Sequence, residues 1–415
     1  MMSPEGRHPR RVVIVGCSAA GLATANMLRR QGYDGMLTVV GVEVGAPYDR
    51  PPLSKQVLSG DWDADRARLL PVERIAALEL ELISPAEAAG LDTTARRVRL
   101  SDGRDVPYDE LVIATGVRPR QLPGNQPTGV HTLRTIDDAL SLRADMVATG
   151  ELTVVGAGFL GLEVAATAST LGITVRVVEP VRDPLSNRLG PRTAARLLDV
   201  HRSRGVEVYL GRGLAALLAG PGGRVEAIQL ADGTRLATTT VLVAIGSRPN
   251  TEWLAGSGLD IHDGVECDEF CRAAPNVWAA GDVAQWKHLG LGRQLRVEHR
   301  TNATEQGIAV ARNMLGEPRA YRPLPYFWTD QYGVRIQFVG VAGEGADDAL
   351  IHGSPNEDSY VRAFTQAGDV VGVVAWNAAK ALTAHRRELG NRPEYAESDQ
   401  PTVRSPSTHR APPVT

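Results

Sequence analysis

The sequence predicts an α/β protein made of two parallel-sheet units and a C-terminal α+β domain. A β-branched run, Arg11 to Val15, ends at Gly16 and passes straight into the helical stretch AAGLATANMLRRQG, so that strand, tight turn and helix follow one another. The same order returns in the middle of the chain, where Leu152 to Val155 leads through GAGFLG into LEVAATASTLG and then the strand VRVVE. From about Tyr326 the sequence alternates in β fashion, IQFVGVAG and VRAFTQAGDVVGVVAW, with turn residues between the runs. That pattern fits an antiparallel third domain.

The pieces between these landmarks follow from their residue types. Leu37 to Val40 is a second strand, and it leads into GVEVGAPYDRPPLSK. The prolines there exclude a helix interior or a central strand and require an irregular loop. Two similar segments, DELVIATGVRPR at 109–120 and TTVLVAIGSRPN at 239–250, each set an apolar strand before a Gly and an Arg-Pro, and each closes one unit. NVWAAGDVA at 276–284 and the helical run TNATEQGIAVARNMLG come next, followed by a break at Pro323. The expected division is residues 1–115 with 247–325 for a discontinuous first domain, 116–246 for a second and 326–397 for a third. Residues 398–415, rich in Pro, Ser and Thr, are expected to be a disordered tail.

A chain of 415 residues is long enough for two or three domains, each with its own core. Its formal net charge of −3 points away from nucleic acid and from a membrane surface, so any charged docking face must be local. The three Cys, at 17, 267 and 271, are too few for a disulfide framework and fit a reducing, cytoplasmic setting. The basic N-terminus precedes only a short apolar run, VVIVG, which is no secretory segment, and no stretch approaches a membrane span. A soluble enzyme is expected.

A nucleotide pyrophosphate needs backbone N–H groups at a helix N-terminus and a backbone it can approach without interference from Cβ atoms. Gly16, Cys17, Ser18, Ala19, Ala20 and Gly21 nearly match G-x-G-x-x-G, with Ser18 in place of the middle Gly. An ordinary tight strand–helix turn has the same pattern. Glu43, beyond the second strand, is the candidate acid for ribose hydroxyls, and Asp282 in GDVA offers a second carboxylate. In the second unit Gly156, Gly158 and Gly161 form an unbroken G-x-G-x-x-G between strand and helix. The strand after it ends in Glu179, a carboxylate placed for both ribose hydroxyls and repelling a 2′-phosphate, so NADH is expected over NADPH. Arg182 and Arg188 follow closely and offer the opposing, phosphate-holding possibility.

Between these sites lies Tyr48-Asp49-Arg50-Pro51-Pro52-Leu53-Ser54-Lys55, accompanied by ATGVRPR, LRTIDDA, GAGFLGLEVAATA, AIGSRPN, AAGDVA, NATEQG and PYFWTDQYG. On these motifs the chain, from about Arg11 to about Leu389, resembles the ferredoxin reductases of oxygenase and cytochrome P450 electron-transfer chains, the putidaredoxin-reductase and biphenyl-dioxygenase-reductase type. The resemblance implies two Rossmann-like dinucleotide-binding domains, one for FAD and one for NAD, plus the C-terminal domain. Disulfide reductases of the same architecture carry a C-x4-C pair near the PPLSK position, and here no Cys lies between Cys17 and Cys267.

Carried over residue by residue, the resemblance implies that FAD meets the first turn through Gly16, Ser18, Ala19, Ala20 and Gly21, has its ribose held by Glu43, and also contacts Ala88. Arg50, Pro51 and Lys55 line the flavin; Ala114, Thr115 and Gly116 follow the closing strand. Arg134 falls near the adenine end, and Gly281 with Asp282 near the ribityl or pyrophosphate part. Glu298, His299, Arg300 and Trp328 lie beside the flavin, Arg300 where many relatives have an aromatic or aliphatic residue. NAD is expected to meet Gly156, Gly158, Phe159, Leu160, Gly161, Glu163, Glu179, Arg188, Ile245 and Gly246. Lys55, Glu163 and Trp328 are the expected catalytic residues, with Lys55 and Glu163 as an ion pair. No metal site is expected.

The implied activity passes hydride from NADH to FAD and then single electrons to an acidic 2Fe-2S ferredoxin, bound transiently, that serves a P450 or Rieske oxygenase. Lys287, Arg293, Arg296, Arg300, Arg312, Arg319 and Arg322 are the candidate basic docking face. Two other readings stay open: an NADH oxidase or small-acceptor reductase, and a redox-sensing protein similar to apoptosis-inducing factor. A monomer or weak homodimer is expected.

Overall fold

The computed structural model describes residues 9–341 and 345–395, so the tail expected at 398–415 lies outside the described residues. The strand Arg11–Val15 lies at the heart of a six-stranded sheet, with Met36–Val40 and Glu81–Ile83 on one side and Glu110–Ile113, Val277–Ala279 and Arg272–Ala274 on the other. All of its pairings are parallel except the last. Val12, Val13, Ile14, Leu37, Val39 and Leu111 to Ile113 are all buried, as strands covered on both faces must be. Helices Ala19–Arg30 and Arg300–Met314 pack against each other beside this sheet. Their approach is close because Gly307 has no side chain: a Cβ there would lie 2.4 Å from the Ala20 carbonyl oxygen.

The second unit repeats the plan. Glu207–Leu210, Thr174–Glu179, Glu151–Val155, Val241–Val243 and Val130–His131 form an all-parallel five-stranded sheet in that order. Each unit also carries a three-stranded antiparallel meander before its closing strand: Ala88–Asp92, Arg97–Leu100 and Asp105–Pro107 in the first, Leu214–Ala219, Val225–Leu230 and Arg235–Ala237 in the second. The chain crosses from the first unit to the second at Val117–Pro119 and returns at Ser247–Pro249. These two crossings pair with each other as an antiparallel ribbon.

The third domain is a five-stranded antiparallel sheet in the order Tyr326–Gln331, Val334–Gly340, Asp369–Trp376, Ser359–Gln366, Asp347–Ser354, followed by helix Ala379–Gly390. Period-two alternation sends Phe338, Tyr360, Phe364, Val374 and Trp376 into a core shared with the second unit. It sends Val339, Val361, Val373 and Ala375 to the other face, against Leu382 and Leu389 of the helix. Both faces are covered, and so the central strands are nearly continuously apolar. Among the described residues no helix is long and apolar enough to cross a membrane.

The Gly307 contact is testable. Gly307→Ala is expected to lower stability by about 1–3 kcal/mol, read as an earlier urea midpoint, because the added methyl group meets backbone rather than a movable side chain.

Candidate functional site

The two strand–helix turns are near copies. Gly16 has φ +119° and Gly156 φ +111°; a Cβ would lie 2.1 Å from the Ala114 oxygen in the first and 2.3 Å from the Ala244 oxygen in the second. Only glycine meets both demands. Gly21 and Gly161 press on the carbonyl oxygens of Gly16 and Gly156, so their part is to let each helix approach its strand. The middle position differs. Ser18 and Gly158 are both extended N-cap residues, and a Cβ on Gly158 would meet nothing within 4 Å. The backbone therefore tolerates Ser18, and its side chain points to the space a ligand would use.

Two adjoining cavities open at the first turn. One, of about 310 Å³, is lined by Ser18, Ala19, Ala20, Arg50, Pro51, Lys55, Ala114, Gly116, Arg134, Gly281, Asp282, Glu298, His299, Arg300 and Trp328, and from the second unit by Phe159, Leu160 and Glu163. The other, of about 800 Å³, is lined by Gly16, Ser18, Glu43, Arg50, Ala88, Ala114 and Thr115 among others. Ser18, Arg50 and Ala114 belong to both, so the lobes meet beneath the N-terminus of helix Ala19–Arg30. These residues fit FAD. The helix start carries no acidic residue to repel a pyrophosphate. Gly281, at φ +80°, leaves room where a Cβ would lie 2.9 Å from the Ala20 Cβ. The buried Arg50 Nε and His299 Nδ1 have no hydrogen-bond partner among the described residues. When bound, FAD supplies the capacity to take electrons in pairs and release them singly. The first turn, Glu43 and Ala88 would hold its nucleotide end, and Arg50, Lys55, Asp282 and Trp328 would surround its ring end.

The acids at the two strand ends are not equivalent. Gly16 N donates to Val40 O and Gly156 N to Val178 O, each at 2.8 Å, so Gly41 stands where Glu179 stands in the second unit. A Cβ on Gly41 would lie 3.1 Å from the Cys17 Cβ, and the acid is displaced two residues on, to Glu43. Glu43 accepts from Arg50 Nη2 at 2.7 Å and from the Tyr48 hydroxyl. Glu179 instead turns inward, accepting from Ala157 N at 2.7 Å and Val181 N at 2.9 Å. Each of its carboxylate oxygens keeps a further lone pair for a ribose hydroxyl.

Lys55 Nζ and Glu163 Oε2 are 2.6 Å apart, with side chains only 14% and 10% exposed. The carboxylate also accepts from Ser54 Oγ at 2.6 Å and Thr329 Oγ1 at 2.7 Å, and Lys55 also donates to Ser54 Oγ and Pro51 O. Trp328 stacks on Tyr326, with Arg335 over its ring. Arg134, expected at the adenine end, lines the smaller lobe. Its backbone N–H is held by Asp138 at the start of helix Ile136–Thr149, and its guanidinium reaches Asp282 at 3.3 Å. Burial pushes the Asp282 carboxyl up and the Arg134 guanidinium down, and their contact opposes both shifts.

Arg300 pairs with Asp49 and donates to Thr304, so its charge is largely met within the lobe. Glu298 accepts from Arg296 at 2.7 Å and Ser247 at 2.5 Å. Desolvation, with Arg188 adding to it, pushes the His299 imidazole down to about 4. Gly246 sits at φ +96° with its carbonyl accepting from Arg120 N at 2.9 Å, and Ile245 is partly exposed beside it. Neither lines the two lobes, nor do Gly21, Gly156, Gly158, Gly161, Glu179 and Arg188. Asp49, Ser54, Phe327 and Ala303 line the smaller lobe without having been singled out in the sequence. Asp49 and Ser54 lie in the segment Tyr48 to Lys55, Phe327 and Thr329 in PYFWTDQYG and Ala303 in NATEQG, so each was in view inside a motif without a role of its own. No thiol lines the smaller lobe, whereas Cys17 lines the larger; burial pushes Cys17 up to about 11 and Cys271 up to about 12, and Cys267 also lies buried in the core.

Comparison with known proteins bears on this geometry. The family described as pyridine nucleotide-disulphide oxidoreductase matches residues 10–307, and that described as reductase C-terminal matches 326–403. The chain is 36% identical over 381 residues to rhodocoxin reductase of Rhodococcus erythropolis, covering 91% of this chain and 89% of that protein. It is 36% identical over 398 residues to the anthranilate 1,2-dioxygenase system ferredoxin–NAD(+) reductase component of Burkholderia cepacia, covering 94% and 97%. Among solved structures, the covalent putidaredoxin reductase–putidaredoxin complex matches with TM-score 0.88 at 32% identity, over 93% of this chain and 94% of that one.

The ion pair leads to an asymmetric outcome. Glu163→Leu strands a poorly exposed ammonium and is expected to cost about 3–5 kcal/mol, whereas adding Lys55→Met to it should recover most of that loss in urea denaturation.

Proposed function

The chain belongs to the pyridine nucleotide-disulphide oxidoreductase family, and from that premise we propose that it uses bound FAD to carry electrons from NADH to a 2Fe-2S ferredoxin serving a cytochrome P450 or Rieske oxygenase. The observation that carries the reading is the convergence at one lobe. The first unit brings Ser18, Arg50, Lys55 and Asp282, the second brings Phe159, Leu160 and Glu163, and the third domain brings Trp328. A flavin ring and a nicotinamide ring brought to that lobe would meet face to face. Lys55, fixed by Glu163, sets a positive charge where reduction adds negative charge. No cysteine lines the lobe, so the dithiol relay of the disulfide reductases has no counterpart there. Electrons leave by a one-electron acceptor instead.

The protein's own charges shape the two recognition steps. Glu179, held by two backbone N–H groups, favours the free ribose of NADH over the 2′-phosphate of NADPH. The docking face for an acidic ferredoxin is narrower than the sequence suggested, because Arg296 is engaged by Asp263 and Glu298 and Arg300 by Asp49. Lys287, Arg293, Arg312 and Arg319, which are exposed, and the half-buried Arg322 form the rest of it.

Three results are expected. The purified protein is yellow and bleaches anaerobically with NADH, and it reduces cytochrome c rapidly only when a ferredoxin is added; a colourless or unbleached protein overturns the reading. Glu179→Gln keeps an acceptor but removes the charge, and is expected to cut the NADH-to-NADPH ratio of kcat/KM by about tenfold or more. Ferredoxin reduction slows as salt rises from about 0.05 to about 0.5 M, whereas bleaching by NADH changes far less.

A further inference from the structure

A chain of buried hydrogen bonds runs away from Glu163 through residues that the flavin lobe does not contain. Thr329 Oγ1 lies 2.7 Å from Glu163 Oε1, Gln331 Nε2 lies 3.0 Å from Thr329 Oγ1, and His201 Nε2 lies 2.7 Å from Gln331 Oε1. The Tyr332 hydroxyl closes the series 3.2 Å from His201 Nδ1. Thr329 and His201 are fully buried and Gln331 nearly so. Thr329, Gln331 and Tyr332 belong to the first strand of the third domain and its turn, whereas His201 is on helix Pro191–Ser203 of the second unit.

The direction of every bond follows from one group. The carboxylate has only acceptors, so Thr329 donates its single hydrogen to it. Thr329 must then accept from an N–H of Gln331, which turns the Gln331 carbonyl toward His201. His201 must donate from Nε2, and its Nδ1 accepts from Tyr332. Burial pushes the His201 imidazole down to about 4, consistent with one hydrogen on that ring. If the Gln331 amide turned over, its NH2 would face the His201 N–H, and its carbonyl would draw the Thr329 hydrogen away from Glu163. With His201 in its Nε2–H tautomer that turn would set two donors face to face, so it demands a change of tautomer as well as the loss of the Thr329 bond to Glu163. An amide does not readily pass protons, so the series orients groups and does not conduct.

We propose that Gln331 and His201 are positioning residues for the Lys55–Glu163 pair, acting through Thr329 to hold Glu163, and with it the lysine ammonium, in place beside the flavin. The proposal rests on the flavin reading of the lobe. It gives the third domain and the far side of the second unit a direct hold on the reacting centre.

The test uses holoprotein and a matched pair of variants. His201→Gln keeps a donor near the Nε2 position, and His201→Met keeps bulk without a donor. His201→Met is expected to lower kcat for flavin reduction by NADH about tenfold with KM changed much less. It is also expected to lower the midpoint potential of the bound flavin, because the ammonium is less well fixed. His201→Gln stays near wild type in both. Equal kcat and equal potential in the two variants would overturn the relay, whether both match wild type or both fall. If His201→Met does not fold, Gln331→Glu decides by the same readouts: it preserves shape but reverses the bond to Thr329, and wild-type values there also overturn the relay. A wild-type protein that is colourless removes the flavin reading; one that bleaches with NADH while the paired variants agree removes only the relay.

Discussion

The Lys55–Glu163 contact is costly unless every remaining valence of its two charges is met, because both side chains are largely withdrawn from water. No one domain meets that demand. Lys55 and Ser54 come from the proline-rich loop of the first unit, Glu163 from the glycine-turn helix of the second, and Thr329 from the first strand of the third domain. Satisfying one carboxylate therefore fixes three structural units against one another. The site and the assembly of the domains are a single problem with a single solution.

Duplication supplied the frame, and small departures from it divided the labour. Both turns keep the glycine that faces a carbonyl oxygen and the glycine that brings helix to strand. They differ where the backbone is indifferent: Ser18 against Gly158, Cys17 against Ala157, Gly41 against Glu179. Cys17 crowds the place where the second unit puts its acid, and Glu43, moved along the chain, is bound by Arg50 and Tyr48. One scaffold thus presents a wide two-lobed space in one copy and an inward-held carboxylate in the other.

Much of this was legible in the sequence because it rests on local rules. Glycines at positive φ, apolar parallel strands and period-two alternation all leave short-range patterns, whereas the Lys55–Glu163 pair followed from the family resemblance of the PPLSK and GAGFLGLEVAATA segments and from no local rule. What was not legible depends on partners distant in the chain. Arg134 follows Asp282 into the smaller lobe, and Arg296 and Arg300 are claimed by Asp263 and Asp49, far from them in the chain. Gln331, inside PYFWTDQYG, and His201 had no role of their own in the sequence, since their meaning lies in a hydrogen-bond direction set by a carboxylate elsewhere. The equivalence of Gly41 and Glu179 emerged only when the registers of two sheets were compared.

The ribbon formed by Val117–Pro119 and Ser247–Pro249 has its own consequence. Thr115 and Asn250 clasp each other across its base, with Thr115 Oγ1 donating to Asn250 O and Asn250 Nδ2 to Thr115 O, both at 2.8 Å. The middle unit is thus a cassette on a two-pronged plug, its ends side by side. Both connections therefore bear on one place in the first unit, whose six-stranded sheet is built wholly from segments outside the middle one.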